Sequence, residues 1–578
     1  MAKRDQLARA FGRLNGGDAR HSQDIALLGA PARDFPQRGG LHANAPPGAG
    51  GPRRLALCGH VDHVRLPARI KVGELVHGGF TSGPNANKLG TPARQNYHSI
   101  MRLHGFLAAL LFATGAASAS GLPELGEVSQ AGFSPAQERQ LGESIMREIR
   151  ADPSYFDDAE ATDYINAVGN RIASLAPGAR QDFEFFLIRD PQINAFALPG
   201  GFIGVNTGLI LAAQSESEMA GVVAHEVAHV TQRHIARMLA QQEQSTLANL
   251  AVLAAAILLA RVDSQAGQAA VMFGQAGIVQ SQLNFTRANE READRIGLQI
   301  LEQAEFDPRG MAVFFERLQR ATRIYGAGAP SYLRTHPLEY ERIADIQGRV
   351  AALPYRQVPD SLEFQLVRAK LKAQLESPQD AVAFFTESLT ERKFLSEAAG
   401  RYGLALSLAR TKNYPAARKE VAALRKLVPA NAIVETLACG VMRQAGEASA
   451  ALACYREALK TYPTYRALVY DYADALIEAR QAPAALTLID ERLKLISGDY
   501  RLYLLKARAH AALEQRLAQH YAQAEAYARM GDIGAAVEQL QIGLKSGDGD
   551  FYQKSSAEAR LRELRRTQRD QQRQENKR

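Results

Sequence analysis

The stretch GVVAHEVAHVTQRH, residues 221–234, decides how the rest of the chain is interpreted. In a helix, residues four positions apart lie about 40° from each other, so His225 and His229 leave the same face. Two imidazoles at that spacing can bind one zinc ion, and Glu226 then lies one step round the helix, beside the metal. The motif therefore predicts a metal-binding helix with a carboxylate next to its metal.

A second helix offers the further ligand that a catalytic zinc site needs. Such sites use three protein ligands and keep a fourth position open. In NEREADRIG, residues 289–297, Glu290 and Asp294 are four positions apart and leave one face of their helix. One carboxylate can bind the metal while the other holds a ligand imidazole through its free N–H. The alternative for these two residues is a solvated helix face.

Two further histidines follow the motif. His234 is five residues past His229, about 140° round a continuous helix, so we expect a structural residue or a neighbour of the site. His336 precedes a proline, which disfavours helix there and predicts a loop before a new helix. From such a loop His336 can reach the vacant metal position or serve as a turn residue, and the sequence leaves both open.

The fold around the motif is predicted to be mainly α. The segments FEFFLIRD and INAFALPGGFIGVN are β-rich, and Gly200-Gly201 is a turn signal. Ser215 followed by Glu218 has the form of a capping box and predicts the start of the motif helix. Because strands are few, we predict a helix-dominated α+β domain over 120–355.

The last third of the chain is repetitive, with small residues at corresponding positions. One series is Ala405, Cys439, Ala473 and Ala507, and a second is Ala416, Ala450 and Ala484. The spacing within each series is the tetratricopeptide period, at which small side chains let two antiparallel helices pack closely. We predict an all-α tetratricopeptide-repeat solenoid over 356–560 and a polar, disordered tail over 561–578.

Two cysteines, Cys439 and Cys454, fall within these repeats. In an oxidising compartment they can form a disulfide. Two buried thiols that act as small apolar residues are an equally good interpretation. The apolar run LANLAVLAAAILLA, residues 247–260, is short for a membrane span. It is either a buried helix or one that covers the active site, or touches a client or a membrane surface.

The formal net charge of +8 does not indicate a nucleic-acid partner. Residues 1–100 hold 14 Lys+Arg and 6 Asp+Glu, which leaves 55 of each in the remainder and places the whole excess in this leader. The leader is rich in Gly, Pro and Arg and lacks helical or strand periodicity, as is typical of disorder.

A second start signal follows the leader. The sequence from Met101, MRLHGFLAALLFATGAASAS, has the form of a secretory signal peptide. It begins with a positively charged residue, continues with a short apolar core and has small residues at 117–119. We expect translation to begin at Met101, a signal peptide over 101–119, and a mis-assigned extension over 1–100. The rival interpretation is a real disordered arm ahead of an uncleaved anchor.

The motifs together resemble a known family. HEVAH with EREAD downstream, NAFALPGG upstream and THP beyond resembles the gluzincin metallopeptidases related to HtpX and the CAAX prenyl protease. The signal peptide and the repeats narrow the resemblance, over roughly 120–570, to the periplasmic β-barrel assembly-enhancing proteases. The membrane-spanning helices of the prenyl protease have no counterpart, so prenylated substrates are not implied.

The resemblance implies a zincin-type metallopeptidase domain over 120–355 and roles for individual residues. One zinc ion is expected on His225, His229 and Glu290, with Glu226 as general base and Asp294 as supporting carboxylate. His336 is expected to occupy the open metal position and keep the protease latent. A strand beside the site can bind substrate by edge pairing. The candidate strand residues are Asn194, Ala195, Phe196 and Ala197.

The function implied is a zinc-dependent endopeptidase of the periplasm, with the outer membrane as a candidate place of association. It would degrade misfolded or stalled outer-membrane proteins and assist their assembly, with the repeats docking such clients or the β-barrel assembly machinery. The alternative is mainly a chaperone or adaptor whose zinc site is silent. A purely structural zinc site is a weak third interpretation, because closed structural sites favour four ligands, often cysteines.

Overall fold

The computed structural model describes residues 134–178, 181–241, 287–325 and 330–577. The predicted leader, the predicted signal peptide and the apolar run 247–260 lie outside these residues. Among the helices that are described, none combines the length and apolar character needed to cross a membrane.

The first part of the described chain is helical around a small sheet, which confirms the predicted fold class. Its strands are β1 Glu184–Ile188, β2 Ala195–Leu198 and β3 Phe202–Asn206. Its helices are α1 Pro135–Ala151, α2 Ala159–Ala173, α3 Thr207–Ala212, α4 Glu216–Thr231, α5 His234–Gln241, α6 Arg287–Gln303, α7 Arg309–Tyr325, α8 Tyr332–Thr335 and α9 Tyr340–Ala351.

The sheet has the order β1-β3-β2, with β1 parallel to β3 and β2 antiparallel to it. Phe186 of β1 pairs with Gly204 of β3, and Phe196 of β2 pairs with the same glycine. A Cβ at Gly204 would lie 2.2 Å from the Phe196 ring, so a glycine is required beneath that ring. This order places β2 at an edge of the sheet, next to α4.

The motif helix α4 is buried on every side from Glu216 to Val230. It lies among α2, α6, α7 and β2, so its polar side chains are enclosed by the core together with its apolar ones. The predicted capping box is half formed. Ser215 Oγ accepts the Glu218 N–H at 3.2 Å, but the Glu218 carboxylate accepts the Gln214 N–H and pairs with Arg317 instead.

The second part is a solenoid of helical hairpins. Its helices are α10 Leu362–Leu375, α11 Pro378–Thr390, α12 Glu397–Arg410, α13 Tyr414–Leu427, α14 Ala432–Gln444, α15 Ala448–Thr461, α16 Arg466–Glu478, α17 Ala482–Leu495, α18 Tyr500–Ala512, α19 Arg516–Met530, α20 Ile533–Leu544 and α21 Phe551–Lys577. In four successive hairpins, the turn between the two helices contains a residue with a left-handed backbone conformation. These residues are Lys412, Gly446, Arg480 and Glu514, which follow one another at the repeat period and have φ between 58° and 81°.

The small-residue series are only partly where the sequence predicts them. Ala405, Cys439, Ala473 and Ala507 are all buried between helices. The second buried series begins at Ala417, one residue later than predicted, and continues through Ala451 and Ala485. Cys439 of α14 and Cys454 of α15 form a disulfide, which settles the alternative left open above.

The predicted disordered tail at 561–578 lies instead in the long helix α21, which runs to Lys577. Ala557, Leu561 and Leu564 follow one another at helical spacing and are buried against α20, where they meet Leu540. The stripe is hard to recognise in the sequence, because arginines and glutamates surround the apolar residues.

The solenoid contacts the peptidase domain through ion pairs at the start of α2. Lys370 of α10 lies 2.7 Å from Asp158 and 2.6 Å from Glu160, and its side chain is only 12% exposed. Burial acts to lower the pKa of Lys370, but Glu160 and Asp158 outweigh burial and hold that pKa above its ordinary value. Further along, Arg466 pairs with Asp163 at 2.6 Å.

Replacing Lys370 by Met should lower the free energy of unfolding by about 3–5 kcal/mol, because two buried carboxylates would lose their counter-charge. Urea unfolding followed by circular dichroism measures the effect. Lys460→Met is the control, since Lys460 pairs with Glu457 at an exposed site and should change stability by less than about 0.5 kcal/mol. Equal losses for the two variants would contradict the prediction.

Candidate metal centre

Four buried side chains from three places in the chain converge on one point. His225 and His229 come from α4 and Glu290 from α6, and His336 directly follows α8. Each is at most 1% exposed. One nitrogen or oxygen atom from each residue lies within 4.8 Å of the others, so the four can share a single metal ion.

Five distances between nitrogen and oxygen atoms of these residues, 3.0–3.5 Å, are near those between the ligands of a tetrahedral zinc ion. His225 Nε2 lies 3.0 Å from His229 Nε2, 3.4 Å from His336 Nδ1 and 3.5 Å from Glu290 Oε2. His229 Nε2 and His336 Nδ1 lie 3.4 Å and 3.1 Å from Glu290 Oε1. Ligands at zinc's usual bond lengths occupy tetrahedral corners about 3.3–3.5 Å apart. The donor set and its spacing therefore suit zinc.

Charge in the buried site also favours a cation. Glu226, Glu290 and Asp294 are buried, while Arg342 pairs with Glu290 and Asp294 at 2.7 Å each. With neutral imidazoles, these groups leave two negative charges uncompensated, which is the charge that a divalent ion balances. The same negative charge acts on the imidazole when no ion is bound: burial alone lowers the pKa of His225, but Asp294 and Glu290 outweigh burial and raise it to about 9, which favours a proton there.

The two ligand-bearing helices approach closely because of one glycine. Gly297 of α6 faces the backbone of α4, and a Cβ there would lie 3.1 Å from His225 Cα. A larger residue would push α6 outward and carry Glu290 away from the two histidines. The glycine that ends NEREADRIG therefore sets the distance between the helices that the motif residues must bridge.

Glu226 lies beside the cluster and not within it. Its carboxylate is fully buried, and Oε1 is 3.5 Å from His336 Nε2. Burial raises the pKa of Glu226, and the imidazoles of His336 and His225 and the backbone amide of Ala197 oppose that rise. Strand β2 is therefore close enough to Glu226 for its backbone to act on the carboxylate.

The candidate substrate strand corresponds to β2, which begins at Ala195. Asn194 precedes the strand, and its carbonyl accepts the Asn206 N–H at 3.0 Å. Just before it, the Ile193 carbonyl accepts the Tyr332 N–H, which ties α8 and the following His336 to this end of the strand. The edge strand, Glu226 and His336 thus lie together.

Asp294 and Arg342 support the His225 imidazole from behind. Asp294 Oδ1 lies 3.0 Å from His225 Nδ1, as the second-helix hypothesis requires. Arg342 of α9 donates two hydrogen bonds of 2.7 Å to the Asp294 carboxylate and a third to the Pro337 carbonyl. Arg342 was not predicted from the sequence, because arginine is normally exposed. The available signal was two buried carboxylates on α6 that need a cation.

His234 lies against the other histidine of the motif. Helix α4 ends at Thr231, and Arg233 has a left-handed φ of 52°, so the chain turns before α5 begins at His234. His234 Nδ1 consequently lies 2.8 Å from His229 Nδ1. An unbroken helix would have turned His234 away from this position. Burial lowers the pKa of His234 to about 4, which keeps its imidazole neutral.

Known proteins share parts of this sequence. The profile of peptidase family M48 matches residues 159–350, which hold all the residues of the cluster. The "Mitochondrial metalloendopeptidase OMA1" of Schizosaccharomyces pombe is 32% identical over 36% of the chain and 60% of its own length. Among solved structures, yeast Tom70 aligns with 63% of the chain and 88% of itself at 12% identity, with a TM-score of 0.25.

A longer relative covers both the peptidase domain and the solenoid. The "Beta-barrel assembly-enhancing protease" of Escherichia coli K12 is 33% identical over 454 residues, which is 78% of the chain and 92% of that protein. The match to the peptidase family and the nearly full-length match to this relative lead to one assignment. The chain belongs to the β-barrel assembly-enhancing proteases, metalloendopeptidases of peptidase family M48.

Proposed function

We propose that this chain is a zinc-dependent endopeptidase of the periplasm that cleaves misfolded or stalled outer-membrane proteins. The observation that carries the proposal is the convergence of four buried donor atoms that lie within 4.8 Å of one another. In this assignment His225, His229 and Glu290 hold the metal, and Glu226 is the general base. The periplasmic location rests on the form of residues 101–119 and on family membership.

The positions of the side chains support a hydrolytic mechanism. A zinc ion bound here would polarise the scissile carbonyl and make a water molecule more acidic. Glu226 lies where it can take a proton from that water and return it to the leaving amine. Its raised pKa brings it nearer the value that such a proton carrier needs. Asp294 and Arg342 keep the His225 ring in place while this occurs.

The substrate class follows from the edge strand. A peptide that adds to β2 would be held by main-chain hydrogen bonds, which place little demand on its sequence. Only an extended chain can pair in this way, so unfolded or stalled polypeptides are suitable substrates. The name of the Escherichia coli relative points to β-barrel proteins. We assign to the solenoid the docking of such clients or of the assembly machinery.

The same geometry suggests that the protease rests in a latent state. His336 Nδ1 stands at the fourth corner of the cluster, and its Nε2 faces Glu226. A water molecule and a scissile carbonyl both need that corner. This observation favours a second function, in which the closed protein acts as a chaperone or adaptor and cleaves only when His336 moves away.

Metal analysis tests the proposed centre. Purified protein should contain one zinc ion per chain, and casein cleavage should stop with a chelator and return with added zinc. Loss of a residue that supports a metal ligand typically weakens metal binding by about 10–100-fold. Glu290→Gln should weaken zinc binding by more than that, because it removes an anionic ligand. Glu302→Gln, an exposed change on the same helix, should leave zinc bound. Wild-type protein without zinc, or full occupancy in Glu290→Gln, would overturn the proposal.

A further inference from the structure

The Nδ1 atoms of the two motif histidines contact different side chains. The contact of His229 has no role in the function proposed so far. The His225 ring meets Asp294 directly, at 3.0 Å. The His229 ring instead meets a second imidazole, His234, at 2.8 Å. His234 is fully buried and its other nitrogen, Nε2, lies 3.1 Å from Glu292 Oε2. Arg237 donates to the same Glu292 oxygen at 2.7 Å.

The contact between the two imidazoles fixes where their protons lie. His229 Nε2 faces the other donor atoms, so it must present a lone pair to bind a metal. The proton of neutral His229 is then on Nδ1, where His234 Nδ1 stands at the right distance to accept it. His234 accepts at Nδ1 and so carries its own proton on Nε2, which points at Glu292. With these protons, each contact in the series His229–His234–Glu292 has one donor and one acceptor.

The same series also fixes the orientation of the His229 ring. The rings of His229 and His234 are nearly perpendicular, at 76°, with centroids 4.8 Å apart. Glu292 is on α6, the helix that also carries Glu290, and Arg237 is on α5. The series therefore joins the end of the motif helix to the helix that supplies the third donor. It runs from a buried histidine to a partly exposed ion pair.

We propose that His234 and Glu292 position the His229 imidazole for metal binding, by holding its proton on Nδ1 and its ring plane toward the shared metal. The inference rests on the proposed function of the cluster as a metal centre. His234 and Glu292 are positioning residues, since neither provides a donor atom to the cluster. Their role matches that of Asp294 and Arg342 behind His225, so each motif histidine has its own support that ends in an arginine.

Zinc affinity measured by chelator competition tests this role without depending on activity. Supporting residues of ligand histidines typically contribute about 10–100-fold to metal affinity, so His234→Leu should weaken binding by that factor. His234→Asn should restore much of the loss, because its side-chain oxygen can accept from His229 Nδ1. Glu292→Gln should weaken binding by about tenfold, since an acceptor remains but its charge is gone.

The visible spectrum of the Co²⁺-substituted protein gives a second measurement, because it reports the ligand geometry. Glu341→Gln is the matched control: Glu341 is an exposed carboxylate that pairs with Arg291 of α6, the helix that carries Glu292. Unchanged zinc affinity and cobalt spectrum in both His234→Leu and Glu292→Gln would overturn the inference. If His234→Leu does not fold, the partly exposed Glu292→Gln decides alone. Wild-type protein that binds no zinc would instead overturn the proposed function.

Discussion

Replacing Glu226 by Gln should reduce peptide hydrolysis by about 10²–10⁴-fold while zinc content stays the same. Gln has nearly the same shape as Glu but cannot take a proton from water. Glu226 contributes no donor atom to the four-residue cluster, so the metal should remain. Cleavage of casein and metal content are measured on the same preparation. Because His336 faces Glu226 at 3.5 Å, the comparison is repeated with His336→Ala in both proteins.

The control for this experiment is Glu216→Gln in the same helix. Glu216 is also buried, but its carboxylate accepts from Tyr164 and Ser361 at the other end of α4, away from the cluster. Its loss should affect stability and spare the hydrolytic rate per folded molecule. Hydrolysis by Glu226→Gln at the wild-type rate would show that the general base is a different group.

The same variant separates the two proposed functions. Cells that lack the gene and express Glu226→Gln can be compared with cells that express wild type, by the amount of correctly assembled outer-membrane β-barrel protein. Full rescue by the variant would assign the main role to the solenoid as a chaperone or adaptor. Rescue by the wild type alone would assign it to proteolysis.

The residues of the site could be found from sequence because helical periodicity fixes their faces. His225 and His229 had to share a face, as did Glu290 and Asp294, and zinc chemistry then required the two helices to meet. Nothing in the sequence shows how closely two helices approach. That distance depends on the backbone contact at Gly297, which appears only when the fold is known.

The residues that were missed or misplaced depend on tertiary structure in other ways. Arg342 is a charged residue that is buried because it pairs with two buried carboxylates, Glu290 and Asp294. His234 reaches His229 only because the helix breaks at Arg233, where a non-glycine residue takes a left-handed conformation that propensity does not predict. The repeat period was enough to predict the solenoid. Which of two adjacent alanines faces inward, Ala416 or Ala417, depended on packing.

Replacing His336 by Ala should raise casein cleavage by at least about tenfold, if the imidazole blocks the site at rest. His336 Nδ1 lies 3.1 Å from Glu290 Oε1 and 3.4 Å from His225 Nε2, so it occupies the corner that water must enter. Removal of the ring opens that corner, and a change of about 1.4 kcal/mol in the opening equilibrium corresponds to tenfold in rate. The initial rate of cleavage of a fluorescent unfolded substrate measures the effect.

The control must separate loss of the imidazole from loosening of its loop. Thr335→Ala serves this purpose, because Thr335 precedes His336 and its hydroxyl donates to the Tyr332 carbonyl. It should leave the rate near that of wild type, since the His336 ring would remain stacked on Tyr332 at a centroid distance of 4.6 Å. Equal activation by both variants would assign latency to the loop. Lower activity in His336→Ala would show instead that the imidazole assists hydrolysis, because a ring 3.5 Å from Glu226 is also placed to donate a hydrogen bond to a reacting carbonyl oxygen.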